Sequence, residues 1–484
     1  MSDSDYVFES DTSDNSISDN SSITTNNSSV ISPIKLSILQ TINETDITDI
    51  IENIYDYLND FIQTETLLIS CPKFYSNMIN YTAELIFIDW LYAGICEDDE
   101  EDYDELVEFI EQVSEIFLEF CDIPQRSISY TTTIIQLDNN LITHNQEFIE
   151  KLSQKIYNLQ NIPQPKQKTK EWYEFRNGLI TASNLWKVFG SEAQQNSLIY
   201  EKCQPMNSVN KEQGYCNTES ATHWGVKYEP VTVMIYETMF QTKVGDFGCI
   251  QHPKYSCIGA SPDGINILQT NDRYGRMLEI KNIVNREITG IPKEEYWIQT
   301  QIQMETCDLD ECDFIETRFE EYKTDSEFYT DTEHEYRGII LWFIERTNNT
   351  PNSNQYSSPI YKYMPINLGS NGQYIDVTIV NEWIQQTRQE YRTQNLVLFS
   401  TIYWYLDEIS CVLIPRNRQW FQKAVPLIEN LWKVIEKERV EGYEHRATKK
   451  RQGMVKVTNT DNNDSYTIHN LSLTNSICLV KLDI

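Results

Sequence analysis

Between Ile34 and about Gln160 the apolar residues recur every three or four positions, as in Ile47, Ile50, Ile51, Ile54 and Tyr55 and again in Leu106, Phe109, Ile110, Val113 and Phe117. This is the period of helices with one buried face, so a helical segment is expected here. The acidic run Glu97 to Asp102 interrupts it and reads as a solvated loop. From Trp172 onward short β-like runs alternate with helices. Two of them, Asp246 to Gly259 and Gly264 to Leu268, flank Ser261-Pro262-Asp263-Gly264, where Pro and Gly favour a tight reversal. Met277 to Ile283 is a third strand candidate. Lys293 to Glu305 reads as a helix with Tyr296, Gln299 and Gln303 on one face, and Trp404 to Lys437 as a strand and a Trp-rich helix. Aromatic residues at such spacings usually pack, so Trp172, Trp224, Trp297, Trp404, Trp420 and Trp432 are assigned to the core.

At 484 residues the chain exceeds the roughly 250–300 over which one core keeps growing. The pattern divides it into a disordered acidic Ser- and Asn-rich tail (1–32), an acidic helical domain (33–162), an α/β domain (165–440) and a basic C-terminal extension (441–484). Pro163 to Lys170 reads as the linker between the two larger units, and Asn348 to Asn354 as a polar loop.

Charge changes this picture in one respect. With 39 basic and 73 acidic residues the chain looks unsuited to gripping nucleic-acid phosphate. The acidity is uneven, however: residues 1–130 hold 28 Asp and Glu against Lys35, Lys73 and Arg126, whereas the rest holds 45 against 36. Some carboxylates of the second part are then available as ligands for a cation. The eleven cysteines lack the paired spacing of a zinc site and are expected reduced and mostly buried. The first thirty residues carry no secretory pattern, and the apolar stretch Leu396 to Leu406, broken by Ser400 and Thr401, is too short to span a bilayer. A soluble intracellular protein with no membrane partner is expected.

The candidate chemistry lies in Asp263, at the end of one strand, with Glu279 and Lys281 two apart on the next. Two apart on a strand means one face. A hairpin would bring Asp263 beside Glu279, and with the carbonyl of Ile280 they would suit a hard divalent cation such as Mg²⁺. Lys281 would then adjoin the attacking water, the arrangement that phosphodiester hydrolysis requires. Glu229, ahead of Pro230 and the helical pattern Val233, Tyr236, Phe240, would complete the metal shell or hold a second ion.

In order and residue type these motifs resemble the lambda-exonuclease and YqaJ-type viral recombinase family of the PD-(D/E)XK nuclease superfamily, particularly its versions in large DNA viruses. The resemblance runs from Trp172 and Arg176 with Gly178-Leu-Ile-Thr-Ala-Ser183, through Gly225 with Glu229, Gly259-Ala-Ser-Pro-Asp-Gly264 and Leu278-Glu-Ile-Lys281, to Tyr296-Trp-Ile-Gln299-Thr-Gln-Ile-Gln303-Met304. It implies an α/β restriction-endonuclease-like core, a mixed central sheet flanked by helices, preceded here by the acidic all-helical domain. It implies metal roles for Glu229, Asp263 and Glu279 and a catalytic role for Lys281, with Tyr296 and Gln299 matching a helix beside the active site. In the family's exonucleases an arginine and serines matching Arg176, Ser183 and Ser261 hold the 5′-terminal phosphate, and Arg286 aligns as a further arginine. Helix capping and turn chemistry are the alternative roles for Arg176, Ser183 and Ser261, since Thr181 and Ser183 could cap a helix starting near Asn184. The implied function is a Mg²⁺-dependent (Mn²⁺-substitutable) exonuclease acting 5′ to 3′ on double-stranded DNA ends in viral recombination, repair or replication. A single-strand-annealing protein is a candidate partner, and the oligomeric state is left open. A structure-selective endonuclease is the alternative within the fold. A non-catalytic protein whose acidic N-terminal half mimics DNA or docks a basic partner is the alternative outside it.

Overall fold

The computed structural model describes residues 44–98, 100–120, 125–129, 146–165, 169–205, 217–345, 359–371 and 374–447. The tail 1–32, the loop 348–354 and all but the first residues of the C-terminal extension lie outside the described residues.

Three helices come first: α1 (Glu44–Thr64), α2 (Phe74–Ala93) and α3 (Glu100–Phe120), packed on one another. Ile54, Leu58 and Phe61 of α1 are buried, as are Leu106, Phe109, Ile110, Val113 and Phe117 of α3. The periodic positions therefore do face inward. The acidic run at Glu97 is only partly a loop, because Glu100, Glu101 and Asp102 form the first turn of α3. Carboxylates there complement the positive end of the helix dipole.

The buried cluster holding Ile54, Leu58 and Phe109 is continuous with Trp297, Ile302 and Trp420. Polar contacts reinforce this junction. Arg126 donates to the carbonyls of Ser70 and Pro292, Trp297 Nε1 donates to the Arg126 carbonyl at 2.8 Å, and Trp420 Nε1 to that of Leu67 at 3.3 Å. Each satisfies a buried polar group that would otherwise carry a desolvation cost of about 1–3 kcal/mol.

After α4 (Gln146–Gln160), α5 (Lys170–Asn177) leads into β2 (Ile180–Thr181), α6 (Ala182–Leu185) and α7 (Glu192–Cys203). The small sheet β2-β5-β4 joins β2 to β5 (Ile258–Ala260) in parallel and β5 to β4 (Ile250–Gln251) antiparallel. The stretch Asp246 to Gly259, read as one strand, is thus broken into short strands around a turn. The large mixed sheet contains β3 (Val244–Gly245), β6 (Gly264–Asn266), β7 (Met277–Ile283), β8 (Glu311–Glu321), β9 (Arg337–Glu345), β10 (Ile360–Tyr363) and β11 (Leu396–Pro415). Its order is β10-β9-β11-β8-β7-β6-β3, with β1 (Ile128–Ser129) added on β11, and only β7 and β8 run parallel. β11, at 20 residues, pairs with β9 through its first half and β8 through its second. Its register shifts at Leu398/Ser400 and Leu406/Glu408 let so long a strand bend with the sheet.

α8 (Ala221–Met239) and α9 (Glu294–Cys307) cover opposite faces of this sheet. Leu278 and Ile280 of β7 pack with Tyr236 of α8, whereas Met277 packs in the cluster of Trp297 and Ile302 on α9. The twofold alternation of β7 therefore turns Glu279 and Lys281 toward α9. α8 starts earlier than its apolar pattern indicates: Ser220 caps it by accepting from His223 N–H at 3.2 Å, and the helix runs through Pro230. Nearly the whole of α9 is buried, so its glutamines are held as rigidly as its apolar residues.

Candidate active site

Glu279 is buried and held on every side. Its Oε1 accepts from Gln299 Nε2 at 2.7 Å and lies 2.9 Å from Lys281 Nζ, and its Oε2 accepts from Gln303 Nε2 at 2.7 Å. Gln299 and Gln303 are one helical turn apart on α9, so one face of that helix presents two amides to one carboxylate. Gln303 also reaches the Ser261 carbonyl at 3.3 Å, tying α9 to the turn before Asp263. The i, i+3, i+7 face was visible in the sequence, but Gln303 was not assigned to the site.

Asp263 Oδ2 accepts the Ile280 N–H at 2.7 Å. β6 pairs with β7 only at Met277 and Leu278, so the β7 edge beyond is open to the Asp263 turn. The N–H and C=O of one strand residue leave by the same edge, which places the Ile280 carbonyl on the Asp263 side. Burial and the charges of Glu279 and Glu229 push the Asp263 carboxyl well above the usual range. Glu229, on α8, is raised by burial and by Glu279 and Asp246. Lys281 is held above its ordinary value because Glu279 and Asp263 outweigh its desolvation. Glu229, Asp263, Glu279, Lys281, Gln299 and the Ile280 backbone are thus in one electrostatic group.

Three carboxylates stand against one lysine, and their oxygens with one backbone carbonyl are the donors a hard divalent cation prefers. The donor set fits in kind and in charge. Among the described residues, however, no three His, Cys, Asp or Glu side chains stand gathered as a finished metal cage. The reason is local: the Glu279 oxygens face Lys281, Gln299 and Gln303, and Asp263 Oδ2 takes a backbone N–H. A cation would have to exchange with at least one of these donors.

Tyr296 lies beside this group. Its ring stacks on Phe314 at 5.8 Å, with Lys281 Nζ 4.6 Å and Arg286 Cζ 5.6 Å from its centroid. Arg286 pairs with buried Glu316, which is the register partner of Lys281 across β7 and β8.

The other predicted substrate residues lie around the small sheet. Pairing of Thr181 with Gly259 puts Ser183 and Ser261 each two residues beyond the paired positions, at the same end. Thr181 occupies the cap position of α6 without a side-chain cap bond; its Oγ1 lies 3.2 Å from Ser183 Oγ instead. Arg176 is buried, its guanidinium 4.7 Å above Trp172. Its carbonyl accepts from buried Lys202 Nζ at 3.4 Å, and Arg439 donates to the carbonyls of Lys202 and Asn177 at 2.8 and 2.6 Å. Burial lowers the Lys202 ammonium; Glu201 opposes this, while Arg176, Arg439 and Lys187 add to it. Lys202 and Arg439 were not singled out in the sequence, because nothing in a linear pattern brings residue 439 beside residue 202.

Residues 171–310 match the YqaJ-like viral recombinase domain family, a segment that contains every site residue from Arg176 to Gln303. This part of the chain is similar to that domain family. The chain is also 28% identical over 305 residues to an uncharacterized protein of Acanthamoeba polyphaga mimivirus, covering 57% of this chain and 54% of that one. It therefore spans about half the length of the curated relative it matches. Among solved structures it is similar to an alkaline exonuclease from Laribacter hongkongensis (19% identity, 57% of this chain and 97% of that one, TM-score 0.32). It is also similar to a phage-related exonuclease from Haemophilus somnus (14%, 54% and 96%, TM-score 0.29). The β7 carboxylate, the α9 glutamines and the Asp263 turn all lie within the matched segment, while α1 to α3 and β8 to β11 lie outside it.

Proposed function

We propose that the chain is a Mg²⁺-dependent deoxyribonuclease, a 5′ to 3′ exonuclease on double-stranded ends whose product feeds DNA recombination, repair or replication. The observation that carries this reading is Glu279, clamped by Gln299, Gln303 and Lys281 beside Asp263, within a YqaJ-like domain. Glu229, Asp263, Glu279 and the Ile280 carbonyl would hold the cation. When bound, it supplies Lewis acidity toward the phosphoryl oxygen and lowers the pKa of water. Lys281, kept charged by its carboxylate neighbours, orients the attacking oxygen and offsets charge developing on phosphorus. Gln299 and Gln303 orient the Glu279 carboxylate. The Tyr296 ring offers its π-system to Lys281 and Arg286. Arg176, with Ser183 and Ser261 beyond the β2 and β5 ends, is assigned to the terminal phosphate, for which a guanidinium offers a planar fork.

Nucleotide release from linear duplex DNA with 5′-phosphate, compared with 5′-hydroxyl ends and closed circles, in Mg²⁺ and in EDTA, tests the proposal. Mg²⁺-dependent digestion of the phosphorylated linear form alone is expected. Cutting of the circle would assign an endonuclease, and no cleavage of any form would assign a non-catalytic role.

A further inference from the structure

α2 is apolar on two opposite sides. Ala83, Ile86, Phe87 and Trp90 are buried against the rest of the molecule. At 100° per residue, Leu85, Ile88 and Tyr92 fall within roughly a 60° arc centred about 170° away from that buried side. Tyr92 is 89% exposed, Ile88 is 48% exposed, and so is Ile95 just past the Gly94 cap. Exposed Glu84 and Asp89 flank this ridge at roughly 60–80° on either side. Spacings of three and four along an exposed helix, with charges at both margins, are those of a helix that packs against another helix.

The charge of the surroundings selects the occupant. Glu44–Phe120 carries 21 Asp and Glu against one basic residue, Lys73. Nucleic acid would be repelled, and a second copy of this chain would set acidic margin against acidic margin. We propose that the α2 ridge docks a basic amphipathic helix of a partner protein, apolar at its central positions and rich in Lys or Arg along its margins. The ridge lies on the half of α2 away from its junction with α9. The segment before α2 touches α9 through Ser70 and Glu294 (3.0 Å), and Ile88 lies about 21 Å farther along the helix axis from Phe74.

The test uses the full chain and a fluorescent three-heptad helical peptide with Leu at a and d and Lys at e and g. A sequence-scrambled peptide of equal charge and a version with Glu at e and g serve as controls. Fluorescence anisotropy at physiological salt is expected to show saturable binding of the Lys peptide only. The double variant Ile88→Ser/Tyr92→Ser, whose unfolding temperature should match the parent because both side chains are exposed, should weaken it about tenfold or more. Glu84→Lys/Asp89→Lys should shift preference to the Glu peptide. Absence of binding, equal binding of the scrambled peptide or unchanged affinity of the Ile88/Tyr92 variant would overturn the proposal. A dimer in sedimentation that this variant dissolves would assign the ridge to a second copy, and binding only after removal of residues 1–43 would assign it to the chain's own N-terminal stretch.

Discussion

Lys281 Nζ and Glu279 Oε1 form a 2.9 Å ion pair in which the carboxylate is 1% and the lysine 12% exposed. Removing one partner of such a pair leaves a buried charge uncompensated, at a cost of about 3–5 kcal/mol. Lys281→Ala is therefore expected to lower stability in urea unfolding and also to reduce nuclease turnover by about a hundredfold or more. DNA binding, read by filter retention at a temperature where the variant is folded, should stay measurable. Near-native turnover would remove Lys281 from the chemistry.

Gln303 acts on Glu279 without reaching substrate, so its substitution should be felt through the metal. Changes in residues that orient a metal ligand cost about 10–100-fold in metal affinity or activity. Gln303→Ala is expected to raise the Mg²⁺ concentration for half-maximal activity while KM for DNA changes little. Gln303→Glu, placing a second carboxylate on Glu279 Oε2, should be worse. A Mg²⁺ titration identical to that of the parent would show that Gln299 alone suffices.

The chemistry of β7 was legible because a strand with period two allows Glu279 and Lys281 only one shared face, and α9 was legible from its Tyr296, Gln299, Gln303 spacing. The Glu229 helix was found but its start was not, since Pro230 masks a helix that begins at Ala221. β8 was missed because its buried positions are disguised by charge: Asp313 and Glu316 are out of water, balanced by Arg273, Arg276 and Arg286 from distant segments. Thr317 is likewise buried against Asn282 and Thr232. A hydropathy pattern cannot register polar residues neutralised by partners 30 to 40 positions away. β11 was seen only from Trp404, because Ser400 and Thr401, which interrupt its apolar run, lie just past the first register shift.

The repulsion among Glu229, Asp263 and Glu279 has a pH signature. Burial and neighbouring carboxylates raise the Asp263 and Glu229 pKa in the fold. In metal-free protein the folded state then binds more protons than the unfolded chain between the ordinary carboxylate range and the raised values. The stability they contribute is present at lower pH and lost as pH rises through that window. Asp263→Asn should flatten this dependence and, in EDTA, raise the unfolding temperature at neutral pH. Mg²⁺ should stabilise the parent and have a smaller effect on the variant. Calorimetric scans across pH with and without metal decide it; a variant indistinguishable from the parent in EDTA would mean that the carboxylates do not strain the fold.

Around Arg176 the imbalance has the opposite sign. Burial, with Arg176, Arg439 and Lys187, depresses the Lys202 ammonium, and Glu201, 3.8 Å from Lys202, is a poorly placed counter-charge. An anion bound there relieves repulsion that solvent cannot screen well in a buried setting. Inorganic phosphate should therefore raise the unfolding temperature of the parent, and do so less for Arg176→Ala or Lys202→Met. In turnover, Arg176→Ala should raise KM for 5′-phosphorylated linear duplex about tenfold, the size of one lost charge-assisted contact, and leave 5′-hydroxyl duplex unaffected. Arg176→Lys should recover only part of the difference, because an ammonium lacks the planar fork. Equal responses of phosphorylated and hydroxyl ends would place the cationic group outside the path of the DNA terminus and leave its charge a matter of folding alone.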